Sequence, residues 1–298
     1  MLLPTSAPVD VVRTLAAFRH GPYDPAFRVI DGVVWRATRR PTGPATLRLR
    51  QVAPDRVDAA AWGPGADDAL AALPDLLGEH DDPAGFEPPP GPVRTAWQRS
   101  VRVRIGRSRL VLESLVPVVL EQRVVVSTAH HAWGWLLHTH GTAAPGPAPD
   151  GMRVAPTREG WAGVPVWDFH RAGVDPRRAR VVVAAARLGP RLEEATGLDA
   201  VGALARLQHV PGVGPWTAAK VAQRAFGDPD AVHVGDFHLP GQVGWALTGR
   251  RTDDAGMLAL LEPFRGHRWR VVHHLLAAGL ARAPRRGPRL PVEDHRHR

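Results

Sequence analysis

The chain has 298 residues, of which 44% are hydrophobic, enough for a folded core and for about two domains. Its formal net charge is +9 and its isoelectric point is about 11.3, so a polyanion such as a nucleic acid is the first partner to consider. Cysteine is absent, which excludes disulfides and thiol nucleophiles, and no apolar run is long enough to span a membrane.

The first part of the chain predicts a small antiparallel sheet with one or two helices. β-Branched and aromatic residues flank Asp31-Gly32, a dipeptide typical of type I′ hairpin turns. The segment ATLRLRQV alternates apolar and basic residues as a half-buried strand does, and VDAAAWG is a further candidate strand. Residues 67–77 predict a short helix. The acidic, proline-rich stretch 79–93 predicts a domain boundary, with a surface loop inside one domain as the alternative.

From Val93 onward the pattern is helical. Two helices are predicted in 111–138, separated near Val126–Ser127, and residues 141–158 predict a flexible loop. Asp175-Pro176 predicts an N-cap and the first turn of the next helix. Shorter helices are predicted at 198–207, 215–226, 238–247, 252–262 and 267–279. The expected domains are 1–88 and 89–281, followed by a basic disordered tail, 282–298.

The most informative segment is LQHVPGVGPWTAAKVAQRAF, residues 207–226. A helix ends, Pro211-Gly212-Val213-Gly214 forms a tight turn, and a second helix starts at Pro215. Two glycines permit backbone conformations and a close approach that a Cβ would block, and free N–H groups at a helix start attract phosphate. Such an element can hold a DNA phosphate without reading sequence. An ordinary helix–turn–helix connection is the alternative.

Asp236 is the second candidate, 22 residues after Gly214 and near the start of another apolar helix. A carboxylate at this place either caps the helix or performs chemistry, and the residue taken alone favours the cap.

Together these segments resemble the helix-hairpin-helix DNA glycosylase superfamily, of the 3-methyladenine DNA glycosylase II type. The resemblance rests on LQHVPGVGPWTA (207–218), on Gly235-Asp236 before an apolar helix and on LVPVVLEQRV (115–124), and it covers roughly residues 90–280. It implies an α+β fold, in which a small N-terminal antiparallel sheet domain with helices precedes an all-α helix-hairpin-helix glycosylase domain. It also implies an enzyme of base-excision repair that acts on double-stranded DNA containing damaged bases and requires no cofactor. Because the sequence shows no signal peptide and no membrane span, we expect a cytoplasmic protein, and we expect it to be a monomer.

The resemblance assigns roles to Asp236 and Trp216. Asp236 becomes the carboxylate that stabilises positive charge on the sugar of a flipped nucleotide and orients or deprotonates a water molecule. Trp216 becomes an aromatic face for a cationic alkylated purine such as 3-methyladenine, with a core tryptophan as the alternative. Bifunctional relatives carry a lysine directly before Thr217-Ala218, where this chain has Trp216, so we expect a monofunctional glycosylase.

Lys220 departs from the best-known member of this type, which has an aromatic pocket residue at that place. This side chain, the only lysine, could contact a phosphate, pair with a carboxylate, or act as the nucleophile of a bifunctional glycosylase/lyase. A DNA-binding protein that kept the hairpin and lost catalysis is another alternative, although a carboxylate facing a polyanion argues against it.

Further residues are expected at the DNA. Gln122 and Arg123 are expected near the gap that a flipped nucleotide leaves, with a solvated helix end as the alternative. The hairpin contacts are expected at Pro211, Gly212, Val213, Gly214 and Thr217. Following the family, we also expect a structural Na⁺ or K⁺ on three main-chain carbonyls, those of Gln208, Val210 and Val213.

The remaining aromatic and imidazole side chains carry weaker expectations. The histidines between His130 and His140 lack nearby carboxylates, so a metal site is not expected. The tryptophans other than Trp216 are expected in the core. The segment VVHHLLAAGL of the last helix offers no aromatic pocket residue.

Overall fold

The computed structural model describes residues 1–284, in which a five-stranded antiparallel sheet is followed by a long helical region. The α+β class is therefore confirmed. The strand order is β1-β5-β4-β3-β2, so sequential neighbours pair except for β1, which lies beside β5 at the edge. The strands are β1 (Leu2–Pro4), β2 (Phe27–Ile30), β3 (Val33–Arg40), β4 (Gly43–Ala53) and β5 (Arg56–Trp62).

The first hairpin has the predicted turn. Asp31 and Gly32 join β2 to β3 with φ angles of 48° and 76°, the left-handed pair that a type I′ turn requires. One face of the sheet buries Val34, Leu47 and Leu49 against three short helices. These helices are α1 (Val11–Leu15), α2 (Ala66–Ala71) and α3 (Leu73–Leu76). The N-terminal region therefore has its own apolar core.

The helical region contains twelve further α-helices within the described residues. They are α4 (Pro92–Ser100), α5 (Val111–Leu120), α6 (Val126–His140), α7 (Arg158–Gly163), α8 (Val166–Arg171), α9 (Pro176–Arg187), α10 (Gly189–Glu193), α11 (Ala200–Gln208), α12 (Pro215–Val221), α13 (Leu239–Thr248), α14 (Asp254–Leu261) and α15 (Arg268–Ala277). A π-helical turn, Ala222–Phe226, continues directly from α12.

Two apolar cores hold these helices together. The larger core packs α5, α6, α9 and α12 around Leu115, Trp133 and Val221. The smaller core packs α4 against α13, α14 and α15. Phe86 and Val93, from the acidic, proline-rich stretch, belong to this smaller core. The helix α12 thus comes from one core and α13 from the other, and the loop 227–238 connects them.

Three local predictions can be compared with the structure. The Asp175 cap is confirmed, because its Oδ1 accepts the N–H groups of Arg177 and Arg178. The break between the two helices of 111–138 was expected near Val126–Ser127, but it spans 121–125, because Arg123 adopts a left-handed φ of 55° that ends the first helix.

Residues 141–158, expected as a flexible loop, instead pair Thr142–Ala143 with Arg153–Val154 as β6 and β7. Buried Met152 and Val154 attach this ribbon to Ala37 of the sheet, which explains its order. Most of the predicted basic tail lies outside the described residues. No helix within residues 1–284 is both long and apolar enough to cross a bilayer.

Candidate active site

The hairpin between α11 and α12 is a closed turn whose two glycines differ in their surroundings. Gly212 has a φ of +92°, and a Cβ there would lie 2.4 Å from Cγ2 of Val181, so only glycine fits. Gly214 has an ordinary φ of −96°, and a Cβ added there would meet no heavy atom of another segment within 4 Å. The Val213 N–H donates to the Val210 carbonyl at 2.9 Å, and the Val213 side chain is buried. Pro211 and Gly212 are exposed at the tip.

Gln122 connects the end of α5 to this hairpin. Its Nε2 donates to the Gly212 carbonyl at 3.1 Å and to Oγ1 of Thr217 at 2.8 Å. Thr217 is buried, so its hydroxyl is used inside the protein. The structure therefore brings together the end of α5 and the hairpin, which were assigned to the DNA interface from separate motifs. The hydrogen bond between Gln122 and Thr217 joins them inside the protein.

Arg123 lies at the tip of the loop between α5 and α6, next to the hairpin. Its side chain is exposed, and no residue within 1–284 forms an ion pair or side-chain hydrogen bond with its guanidinium. Arg123, with a left-handed φ of 55°, directly follows Gln122, the residue that contacts the hairpin.

Asp236 accepts hydrogen bonds from three N–H groups of two elements. Its Oδ1 accepts the N–H groups of His238 at 2.8 Å and Leu239 at 2.9 Å, at the start of α13. Its Oδ2 accepts the indole N–H of Trp216, on α12, at 3.1 Å. Gly235, with a φ of +81°, makes the turn that directs the carboxylate back toward α12. Asp236 therefore caps the start of α13 through Oδ1, while its Oδ2 contacts Trp216, and its catalytic role stays a prediction.

The environment keeps Asp236 ionised. Its partial burial alone would raise the pKa of the carboxyl, but the N–H groups of Leu239 and His238, with His233 and Trp216, outweigh burial and lower the pKa below its usual value. At neutral pH the carboxylate therefore carries a full negative charge in a fixed orientation.

Lys220 lies beside Trp216 and pairs with Glu121. Its Nζ is 4.6 Å from the centre of the Trp216 ring, over the ring face, and it donates to Oε2 of Glu121. The side chains of Lys220 and Glu121 are only 15% and 11% exposed. Burial lowers the pKa of Lys220, and the charge of Glu121 opposes that shift. Among the three sequence interpretations of Lys220, a carboxylate partner is the one present.

Three residues near Asp236 were missed by sequence reasoning. Glu121 stands directly before Gln122, at the polar end of an apolar helix, which was its only signal. His233 lies with Nε2 3.7 Å from Oδ2 of Asp236 and packs edge-on against Trp216. Phe237, directly after Asp236, is 82% exposed.

The segment VVHHLLAAGL of the last helix contains no aromatic residue, as its sequence shows. Trp269 lies just before it, in the first turn of α15, and its ring centre is 5.6 Å from that of His233. The expectation that the tryptophans other than Trp216 lie in the core is wrong for Trp167, which is 64% exposed on α8, and for Trp245, which is 37% exposed on α13. An apolar pattern on a short helix does not reveal which way a single tryptophan faces.

The expected cation site has two carbonyls with free lone pairs. The Val210 carbonyl accepts the Val213 N–H, whereas no backbone N–H among residues 1–284 donates to the carbonyls of Gln208 or Val213. Oxygen ligands of this type suit an alkali cation. No cluster of three or more His, Cys, Asp or Glu residues suitable for a metal occurs in the part of the chain that the structure describes.

Neither protein-family models nor curated protein sequences match this chain. Several solved structures, in contrast, are similar to this chain. A 3-methyladenine DNA-glycosylase from Archaeoglobus fulgidus superposes with a TM-score of 0.76 at 17% identity, over 93% of this chain and 97% of that one. An 8-oxoguanine glycosylase/lyase from Clostridium acetobutylicum, in complex with double-stranded DNA, superposes with a TM-score of 0.69 at 11% identity, over 93% and 96%.

A third similar structure is the 3-methyladenine DNA glycosylase of Schizosaccharomyces pombe in complex with abasic DNA. It has a TM-score of 0.50 at 15% identity and covers 64% of this chain and 91% of that one. The two longer matches include both the sheet and the helical region, so the whole order of elements is shared rather than the hairpin alone. The chain therefore has the fold of the helix-hairpin-helix DNA glycosylases.

Proposed function

We propose that this protein is a monofunctional DNA glycosylase of base-excision repair, which hydrolyses the N-glycosidic bond of alkylated purines such as 3-methyladenine. The observation that carries the proposal is Asp236, an ionised carboxylate locked at the start of α13 and joined to the hairpin helix through Trp216. The names of the similar structures support a DNA glycosylase, and two of them are 3-methyladenine DNA glycosylases.

The proposed reaction needs a fixed negative charge. When the bond between the base and C1′ breaks, its electron pair leaves with the base and positive charge develops on the sugar. A carboxylate that is already oriented stabilises this charge without reorganising. Water then adds its oxygen to C1′ and releases a proton. An alkylated purine is cationic before cleavage and leaves as a neutral base, so a strong general acid is not needed.

The surroundings of Trp216 bear on the choice of base. The ring face is electron-rich and favours a cation, and in the free protein the Lys220 ammonium already lies over it. For a cationic purine to stack there, Lys220 must leave the ring and stay paired with Glu121. The net charge of this pair is zero, so the local field does not repel a cationic base as a lone lysine would.

DNA contacts are proposed at the surface around the hairpin tip. Pro211, Gly212 and Gly214 leave the backbone accessible to a phosphate, and Arg123 supplies a positive charge beside it. The protein would act on double-stranded DNA as a cytoplasmic monomer with no required cofactor. A Na⁺ or K⁺ bound to the carbonyls of Gln208, Val210 and Val213 would brace the turn.

A bifunctional glycosylase/lyase is the second candidate, because burial lowers the pKa of Lys220 and so favours a neutral, nucleophilic amine. The ion pair with Glu121 opposes it. Borohydride trapping separates the two: a monofunctional enzyme forms no covalent complex with damaged DNA, whereas a complex that disappears in Lys220→Met would establish the lyase.

The deciding experiment is to incubate the protein with alkylated duplex DNA and identify the released base by mass. Release of 3-methyladenine by the wild type and not by Asp236→Asn would support the proposal. Duplexes containing uracil or 8-oxoguanine test other base classes in parallel. Tight DNA binding without release from any duplex would favour the non-catalytic DNA-binding alternative.

A further inference from the structure

The orientation of the Gln223 side-chain amide is determined by its neighbours. Gln223 lies in the π-helical turn after α12, and its Nε2 donates to the carbonyl of Ala231 at 2.7 Å. A carbonyl oxygen only accepts hydrogen bonds, so the NH₂ group, and not the amide oxygen, must face Ala231. The Ala231 peptide is itself held, because its N–H donates to Asp228.

This amide orientation determines the tautomer of His233. The same Nε2 of Gln223 lies 3.0 Å from Nδ1 of His233, and its second hydrogen points there. The Nδ1 atom must therefore accept, so a neutral imidazole carries its proton on Nε2. That nitrogen is the one that lies 3.7 Å from Oδ2 of Asp236. A chain of contacts thus runs from the Ala231 backbone through Gln223 and His233 to the carboxylate.

The pocket around His233 keeps the ring neutral. His233 and Gln223 are each 7% exposed. Burial lowers the pKa of His233 to about 4, against the raising effect of the Asp236 charge. The other groups that bear on the ring come from α12, the π-helical turn, the end of α5 and α15, and they are Trp216, Lys220, Arg224, Glu121 and Trp269.

We propose that His233 is a positioning residue, whose Nε2–H, set by Gln223, holds the Oδ2 side of the Asp236 carboxylate. The inference rests on the proposed function of Asp236. The separation of 3.7 Å is longer than a hydrogen bond, so in the free protein His233 acts as an oriented dipole beside Oδ2. The indole N–H of Trp216 is the hydrogen bond that Oδ2 accepts, and the His233 N–H adds a second dipole beside it.

Two substitutions separate the contacts of the ring. His233→Gln places an amide NH₂ near the former Nε2 and can still donate to Asp236. His233→Asn keeps a polar group near the former position of Nδ1, where it faces Gln223, but this shorter side chain does not reach Asp236. We expect His233→Asn to slow single-turnover base release by about fivefold to tenfold, at most the rate effect of one ordinary hydrogen bond, and His233→Gln to stay within about threefold of wild type. Both should bind DNA carrying an abasic analogue as the wild type does.

A ¹³C titration of the Asp236 carboxyl supplies a readout that does not require base release. Its pKa should rise in His233→Asn and stay near the wild-type value in His233→Gln, because only the first variant loses a donor to the charged form. Equal pKa values, or equal rates, in the two folded variants would overturn the positioning role.

The tautomer is tested on the wild type itself, so the proposal remains falsifiable if the variants do not fold. Long-range ¹H–¹⁵N spectra at pH 7 should show His233 protonated at Nε2 and unprotonated at Nδ1. A proton on Nδ1, alone or together with Nε2, would refute the inference. A wild type that releases no base at all contradicts the proposed function instead, and the spectra and the carboxyl titration still decide the role of His233.

Discussion

The indole N–H of Trp216 donates to Oδ2 of Asp236 over 3.1 Å, and this bond joins the first turn of α12 to the loop before α13. The two residues come from motifs that stand apart in the sequence and from helices that belong to different apolar cores. A shift of either core would change the direction of the carboxylate. The orientation of the proposed catalytic charge is thus a property of the packing of both cores.

Removing that charge should nearly abolish base release. Asp236→Asn keeps an oxygen for the N–H groups of His238 and Leu239, so the start of α13 should survive. The transition state loses its negative partner, which typically costs on the order of 10²–10³ in rate. The single-turnover rate of base release from alkylated DNA measures this loss. Asp253→Asn, which changes the N-cap of the neighbouring α14, is the matched control and should release base normally. Wild-type release by Asp236→Asn would exclude a catalytic role.

Trp216→Phe tests the indole N–H separately from the ring. The aromatic face remains, but Oδ2 loses one donor, so the pKa of Asp236 should rise and the acid limb of the pH–rate profile should move to higher pH. We expect base release near neutral pH to fall about tenfold. Trp135→Phe, a half-buried tryptophan on α6, serves as the control. An unchanged acid limb would show that the indole N–H does not act on Asp236.

Substituting alanine for each of the two hairpin glycines should have different effects on stability. Gly214→Ala meets no atom and has an ordinary φ, so stability should stay within about 0.5 kcal/mol of wild type while DNA affinity falls. Gly212→Ala forces a Cβ against Val181 at a φ of +92° and should lower stability as well. Denaturant melts and salt-dependent DNA titrations measure the two effects. Unchanged affinity in Gly214→Ala would remove the hairpin from the DNA interface.

Replacing one member of the Glu121–Lys220 pair should lower the free energy of unfolding more than replacing both members does. Glu121→Gln or Lys220→Met alone leaves a charge in a site where both side chains are largely buried, and we expect a loss of about 3–5 kcal/mol. The double variant leaves no unpaired charge, so its loss should be smaller than the sum. A double-mutant cycle in denaturant provides the coupling energy. Strict additivity would show that the pair does not act as a unit.

Asp24 should make stability depend on pH in the acid range. Burial raises its pKa to about 6, although the backbone N–H groups of His20 and Ala26 and the indole N–H of Trp133 all donate to it. The folded state therefore holds this proton more tightly than the unfolded state, whose pKa is about 4. The contribution of Asp24 to the free energy of unfolding therefore falls by about 2–3 kcal/mol as the pH rises from about 4 to about 6, and it is constant at higher pH.

Unfolding of the wild type and of Asp24→Asn across this pH range isolates the effect, because the other carboxyls are common to both proteins. The difference in free energy of unfolding should vary with pH between about 4 and 6 and then level. A difference that is constant from pH 4 to 7 would show that Asp24 ionises in the folded protein as it does in the unfolded chain.

Local sequence signals predicted the elements well where backbone chemistry dominates. The Asp31-Gly32 turn, the Asp175 cap and the PGVG turn all depend on residues whose conformational preference is strong in any context. The loop at 121–125 was displaced in the prediction, because a left-handed arginine is not a pattern that sequence favours.

The candidate site was predicted in part. Asp236 and Trp216 follow from motifs, but Glu121, His233 and Trp269 do not. Glu121 and Trp269 reach the site through packing between helices that are distant in the chain. His233 lies in the same loop as Asp236, but no local pattern shows that its ring faces Trp216. The partner of Lys220 illustrates this: Glu121 is 99 residues away, and no periodicity within α5 or α12 relates the two. Long-range pairs of this kind depend on how the two cores meet.

The π-helical turn at Ala222–Phe226 makes the chain one residue longer than a regular helix would need at this point. Deleting Ala222 would let α12 continue as an ordinary α-helix and would rotate Gln223 and the residues after it by about 100° relative to α12. Gln223 would then turn away from Ala231 and His233. The extra residue of the π-helical turn therefore sets the rotational position of Gln223 around the helix axis. Length variation in this segment, even with every named residue retained, should uncouple the ring of His233 from the carboxylate.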